Sequence, residues 1–189
     1  MNRSQGESIP GAPVQRILAA AKFAAEKHAA QKRKGAAAEP YINHLIEVAE
    51  LIAGSSEQLD ANLVMAGLLH DTIEDTGTTA EELERSFGSD ISALVVEVTD
   101  DKSLPKEVRK SLQVEDAPRK SVRAQVIKLA DKISNLRSLL VSPPATWNTE
   151  RKRQYFEWAR QVVNGLSAPN PRLKAEFDRT YAQFMGPSL

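Results

Sequence analysis

The chain has no cysteine among its 189 residues. That excludes a disulfide framework, a thiolate metal site and a thiol nucleophile, and a cytoplasmic protein is the natural expectation. No stretch approaches the roughly 18 consecutive apolar residues of a membrane span. The N-terminus lacks the charged-then-apolar layout of a signal peptide. Net charge is missing too, since 25 Lys plus Arg balance 25 Asp plus Glu. A neutral surface is ill suited to a long nucleic acid, although it permits a local basic pocket for a small phosphorylated ligand. There is no internal repeat, no low-complexity linker and no convincing strand pattern. Histidine is scarce, at three residues.

What is present is ordinary for a globular protein: 41% apolar and 26% charged residues. At this length one domain is expected, burying about 70% of the unfolded chain's surface. Residues 1–12 (MNRSQGESIPGA) are polar with Gly and Pro, and are expected to form a loose tail ahead of a domain over 13–189. The domain reads as all-α. Val14, Ile17, Leu18, Ala21, Ala24, Ala25 and His28 recur at helical spacing, which predicts a first helix from Pro13 to about Lys32. A second follows Pro40-Tyr41, and a third, from about Asp60, holds the run Leu63 to Leu69, whose Ala, Leu and Met favour a buried helix over a strand. Thr78 with Glu81, or Thr79 with Glu82, makes a capping box for a fourth. A fifth ends near Asp101, and a short sixth starts at Pro105. The longest spans about 119–141 and is stopped by Pro143-Pro144. Two more occupy about 149–166 and the segment from Asn170-Pro171. A single helical bundle of about eight or nine helices is the expectation.

Three elements of this pattern carry chemistry: His44, the step His70-Asp71, and Asp131. Two imidazoles and two carboxylates suit a divalent cation such as manganese, iron or zinc, and leave room for water and a substrate oxygen. A water on such an ion becomes acidic near neutral pH, which makes a hydrolase. Adjacent residues on a helix diverge by about 100°, so His70 and Asp71 can share an ion only near a helix end. Each residue also has a plainer reading. His70 or His44 could be a hydrogen-bonded core histidine, Asp71 a cap, and Asp131 an i,i+3 partner of Lys128. Four such coincidences are less economical than one shared ion, because a carboxylate beside the run 63–69 needs a partner. His28 continues the apolar stripe of the first helix and is read as structural.

The segments QKRK (31–34), EPYINH (39–44), HDTIEDT (70–76), EVTDDKSLP (97–105), KLADKISNL (128–136) and QYFEWA (154–159) closely resemble the HD-type hydrolase domain of the RelA/SpoT homologues. The likeness is greatest to the small single-domain alarmone hydrolases of that family, the metazoan SpoT homologue among them. It extends over about 14–185. The resemblance implies hydrolysis of (p)ppGpp to GDP or GTP plus pyrophosphate, with manganese as the usual metal. It implies His44, His70, Asp71 and Asp131 as metal ligands, with Glu74 and Asp75 handling the attacking water and its protons. Glu74 stands four residues past His70, so a continuing turn would bring it over the metal. An acidic, solvated turn is the alternative for this pair. Arg33 and Lys34 match the family's basic pair at the nucleotide pocket. Asn135, one turn past Asp131, and Tyr155 match nucleotide-contacting positions, and Lys102 and Arg151 are placed for the diphosphates. Leu45 stands where many relatives have Pro, and the bland loop Gly35-Ala36-Ala37-Ala38 leaves the positioning of Arg33 and Lys34 open. The hydrolase-like part fills the chain, so no synthetase activity is expected. The same site could instead serve an NADPH 2′-phosphatase or another nucleotide phosphohydrolase, and a silent nucleotide-binding module is the reading from a different class. Oligomeric state is not legible.

Overall fold

In a computed structural model the described residues run from 13 to 186; the expected N-terminal tail, 1–12, lies outside them. They form α1 (Pro13–Lys27), α2 (Ile42–Gly54), α3 (Ala61–Leu69), α4 (Thr72–Thr76), α5 (Ala80–Phe87), α6 (Ser89–Val98), α7 (Lys106–Asp116), α8 (Val122–Val141), α9 (Thr149–Gly165) and α10 (Pro171–Met185). A 3₁₀ turn, Ala117–Arg119, joins α7 to α8. Nine helices of eight residues or more meet the expectation of an all-α bundle, and α4 is a single extra turn. The only β pairing among the described residues is an isolated bridge between Lys32 and Pro40.

The starts of these helices follow side-chain chemistry. Asp60 accepts from the Leu63 amide, Thr79 from Glu82, Ser121 from Ala124, and Asn148 from Arg151. Asn170 caps α10 through the Arg172 and Leu173 amides, with Pro171 in the first turn. Thr79, not Thr78, is thus the cap of α5. Pro105 is the N-cap of α7 instead of its first helical residue. The largest departure is at the end of α1. The helix stops at Lys27, because the chain turns at His28 and then doubles back: the Arg33 amide donates to Glu39 O and the Tyr41 amide to Gln31 O. Polar Gln31 and basic Lys32–Lys34 therefore leave the helix and edge a loop.

Seven of the nine residues of α3 are buried, as a helix apolar on every side requires. It packs between α1, α2 and α6. Gly67 lets it approach α2 closely, since a Cβ there would meet Ile52 Cδ1 at 2.5 Å. The long α8 lies against α2, α6, α9 and α10, with Ile127, Leu129, Ile133 and Leu136 fully inside. α7 packs on α9. Buried apolar residues from every long helix except α7 join one core. The C-terminal end of α3, the start of α2 and the middle of α8 converge beside a cleft roofed by α7 and α9.

Candidate metal centre and nucleotide cleft

His44 sits in the first turn of α2, His70 caps the C-terminus of α3, Asp71 is the N-cap of α4, and Asp131 is midway along α8. The His-Asp step thus falls at a helix end, where adjacent side chains can turn to one point. His70 Nε2 is 3.1 Å from Asp71 Oδ2 and 3.8 Å from Asp131 Oδ1. His44 Nε2 lies 3.6 and 3.4 Å from the same two oxygens. Atoms of His44, His70 and Asp131 fall within 4.8 Å of one another, a spacing that can hold a cation.

The hydrogen bonds behind the imidazoles show that the donor set fits a metal. His70 Nδ1 is 2.8 Å from the Gly67 carbonyl, which can only accept, so Nδ1 carries a hydrogen. In the neutral ring His70 Nε2 is then a bare lone pair, buried without a hydrogen-bond partner. His44 Nδ1 lies 2.8 Å from Ser134 Oγ, and Ser134 donates its own proton to Glu47 at 2.6 Å. Ser134 must therefore accept from His44, and the Nε2 of a neutral His44 also faces the site unprotonated. Burial alone would push the His70 imidazole down, but the facing Asp71 and Asp131 carboxylates hold it up at about 10. Burial likewise opposes ionisation of the two carboxyls. His70 and His44 overcome it at Asp71, and Lys132 with both imidazoles does so at Asp131, holding each well below the usual carboxylate range. Such concentrated, buried negative charge is what a divalent ion would bind and neutralise, taking the place of a proton on His70 Nε2.

The carboxylates are held in turn. Tyr41 Oη donates to Asp71 Oδ2 at 2.6 Å. Asn135 Nδ2 donates to Asp131 Oδ1 at 2.6 Å and Lys132 Nζ to Oδ2 at 3.0 Å. Lys132 is buried against the Trp158 ring, 4.6 Å from its centroid. Glu74 reaches the same cleft: its Oε2 accepts from the Asp100 amide at 3.3 Å and its Oε1 is 3.5 Å from Arg109. Burial, with Asp71 and Asp100 nearby, raises the Glu74 carboxyl. Asp75 points to the neighbouring edge, paired with Lys102 on one oxygen and with Gln31 on the other.

Two adjoining cavities of about 750 and 360 Å³ open on this centre and share nine lining residues, Asp71, Glu74, Arg109 and Asn135 among them. Arg33 lies over the Tyr41 ring at 5.7 Å and donates to Asn135 Oδ1 at 3.0 Å. Its loop is not loose, despite the alanines. The Ala37 amide donates to Ser142 Oγ and the Ala36 amide to Pro143 O, and Gly35 sits so close to Ser142 that a Cβ would collide with its carbonyl oxygen. Tyr155 stands between Trp147 and Trp158, and burial raises its hydroxyl to about 12. Arg151 lies over Trp147 at the mouth. Lys102 is engaged with Asp75, so its charge serves that carboxylate directly. Sequence reasoning missed the wall built by Lys106, Arg109 and Lys110 of α7, Lys128 and Lys132 of α8, and Trp147. Lys106, Arg109 and Lys110 at i, i+3 and i+4 were the available signal.

A helical bundle that closes two imidazoles and two carboxylates at a helix-end His-Asp step defines a class, and the HD domain profile matches residues 20–157. The chain belongs to the HD domain family. It is 48% identical over 165 residues to guanosine-3′,5′-bis(diphosphate) 3′-pyrophosphohydrolase MESH1 of Xenopus tropicalis, covering 87% of this chain and 92% of that protein. Identity to MESH1 of Homo sapiens is 47% over 173 residues, 92% of this chain and 97% of the relative. A solved structure described as a metazoan ortholog of SpoT that hydrolyses ppGpp superposes with a TM-score of 0.87 at 43% identity, covering 95% of this chain and 99% of that one. No helix among the described residues is long and apolar enough to cross a membrane.

Proposed function

We propose that the protein is a metal-dependent guanosine 3′,5′-bis(diphosphate) 3′-pyrophosphohydrolase, converting (p)ppGpp to GDP or GTP plus pyrophosphate in the cytoplasm. One observation carries the chemistry: the buried, unpartnered Nε2 of His70 faces Asp71 and Asp131 across a space that His44 also faces. Identity above 40% to MESH1 proteins over most of the chain supports the substrate class. His44, His70, Asp71 and Asp131 would hold the ion, and manganese suits this mixed nitrogen and oxygen set. A bound divalent ion supplies charge neutralisation and makes a water acidic enough to attack.

The chain's own groups do the rest. A water oxygen bonds to the phosphorus attached to the ribose 3′-oxygen, the P–O3′ bond breaks, and pyrophosphate leaves. Glu74, raised by its buried and acidic surroundings, takes a proton from the attacking water. Asp75, edged by Lys102, handles the proton that the 3′-oxygen gains. Arg33 and Tyr41 offer a stacked surface for the purine, while Lys34, Asn135, Tyr155 and Arg151 line the path of ribose and phosphates. Lys106, Arg109 and Lys110 add the positive charge that a diphosphate requires.

The test is product analysis with Mn²⁺ and ppGpp, with NADPH run in parallel. Pyrophosphate and GDP, abolished by chelation and by Asp71→Ala, are expected. Phosphate from NADPH without turnover of ppGpp would move the activity to a 2′-phosphatase, and silence on both would end the ppGpp reading and leave a different nucleotide or a binding role.

A further inference from the structure

His28 is 3% exposed, yet it is not an inert member of the apolar face of α1. Its Nδ1 lies 2.6 Å from Gln31 Oε1, and Gln31 Nε2 donates to Asp75 Oδ2 at 2.7 Å. A carboxylate can only accept, so the amide of Gln31 must turn its nitrogen to Asp75 and its oxygen to His28. That fixes the hydrogen on His28 Nδ1 and leaves Nε2 bare, and this atom is buried without a partner. A ring that merely filled space would be better replaced by an apolar one, because an unsatisfied buried nitrogen is costly. The face of the same ring stacks on Tyr41, centroids 5.1 Å apart and 17° from parallel, and the Tyr41 hydroxyl holds Asp71. The turn is closed by backbone bonds on both sides, from Gln31 N to His28 O and from Tyr41 N to Gln31 O.

We propose that His28 and Gln31 are positioning residues of the hydrolysis, a neutral relay from the end of α1 that fixes the plane of the Asp75 carboxylate, with the His28 ring also bracing Tyr41 against Asp71. This rests on the function proposed above. A neutral donor is what this carboxylate needs. Lys102 already supplies charge to one Asp75 oxygen, and Gln31 orients the other without neutralising it. Gln31 lines the smaller of the two cavities, so the relay connects α1 to the cleft.

Replacements separate the two contacts. His28→Phe keeps the stack on Tyr41 and deletes the Nδ1 donor; His28→Asn keeps a donor near the Nδ1 position and deletes the stack; Gln31→Leu removes the relay itself. We expect His28→Phe and Gln31→Leu each to lower kcat by roughly 10- to 100-fold with KM for ppGpp nearly unchanged. His28→Asn should recover part of that loss, the double variant should be no worse than either single one, and His28→Phe should cost nothing further in an Asp75→Asn background. A merely structural histidine would instead lower the melting temperature, with kcat and KM moving together and the same loss with or without Asp75. An independent reading comes from imidazole ¹⁵N spectra of the unliganded protein, assignable because there are three histidines. His28 should carry its proton on Nδ1, and that preference should weaken in Gln31→Leu. An Nε2–H tautomer in the parent, or additive losses in the variants, would overturn the proposal. Absence of ppGpp turnover in the parent would overturn the proposed function alone, since the spectra test the relay without substrate.

Discussion

Single atoms decide the chemistry of this cleft. The serine at 134 looks incidental in the sequence, yet its hydroxyl accepts from His44 and donates to Glu47, fixing which imidazole nitrogen faces the centre. Ser134→Ala leaves the buried His44 Nδ1 without its acceptor, while the part-exposed Glu47 keeps Arg137. Metal affinity should fall by about 10- to 100-fold while the helical circular dichroism is unchanged; a metal titration followed by activity and by direct binding checks this. Glu74 carries the opposite sign of effect. Its carboxyl is raised by burial and by Asp71 and Asp100, so the folded chain holds a proton that the unfolded chain releases. The contribution is neutral below the ordinary glutamate pKa, about 4.3, and becomes destabilising as pH rises through the raised value. In metal-free protein Glu74→Gln should therefore match the parent near pH 4 and melt higher at pH 7. The expected gain is roughly 2–4 °C for each 1 kcal/mol relieved. Turnover should fall in the same variant, and calorimetry beside a kinetic assay separates the two effects.

At the scale of elements, the loop between α1 and α2 carries Arg33 and Lys34 to the wall of the cleft, and the end of α8 holds it in place. The Ser142 hydroxyl takes the Ala37 amide, and Gly35 lies against the Ser142 carbonyl. Gly35→Ala would force the loop off this seat and shift Arg33 away from Tyr41 and Asn135. KM for ppGpp should rise by roughly tenfold, about 1.4 kcal/mol of binding, with metal affinity intact because none of the four proposed ligands lies on the loop. Steady-state kinetics with a parallel metal titration would show a drop in both if loop and centre were one cooperative unit. α7 differs from the other helices in burying none of its residues fully. It presents charge to the cleft on one side and leans on α9 with the other.

The whole molecule combines zero net charge with a cleft in which seven Lys and Arg side chains stand among six carboxylates. Long-range attraction is therefore weak, and the attraction exerted by the α7 cations is local and screened by salt. kcat/KM for ppGpp should decline by roughly tenfold between low and high ionic strength, and Lys106→Ala with Lys110→Ala should flatten that slope. A salt series on parent and variant measures it.

Helices were legible because their information is local. Caps such as Thr79 and Asn170, and apolar positions repeating every three or four residues, act within one or two turns. The identities of His44, His70, Asp71 and Asp131 were legible as candidates for the same reason, since a His-Asp step beside an apolar run is a local anomaly. The stop of α1 at Lys27 was not, because His28 continues the helical period and a bridge to Pro40 ends it. Nor could spacing tell which nitrogen of each imidazole faces the centre, that α7 turns its cations inward, or that His28 reaches Asp75 through Gln31. His44 and Ser134 are 90 positions apart, and Gln31 and Asp75 are 44 apart. Distances across such separations are set by how α1, α2, α3 and α8 pack, and no periodicity within one segment contains them.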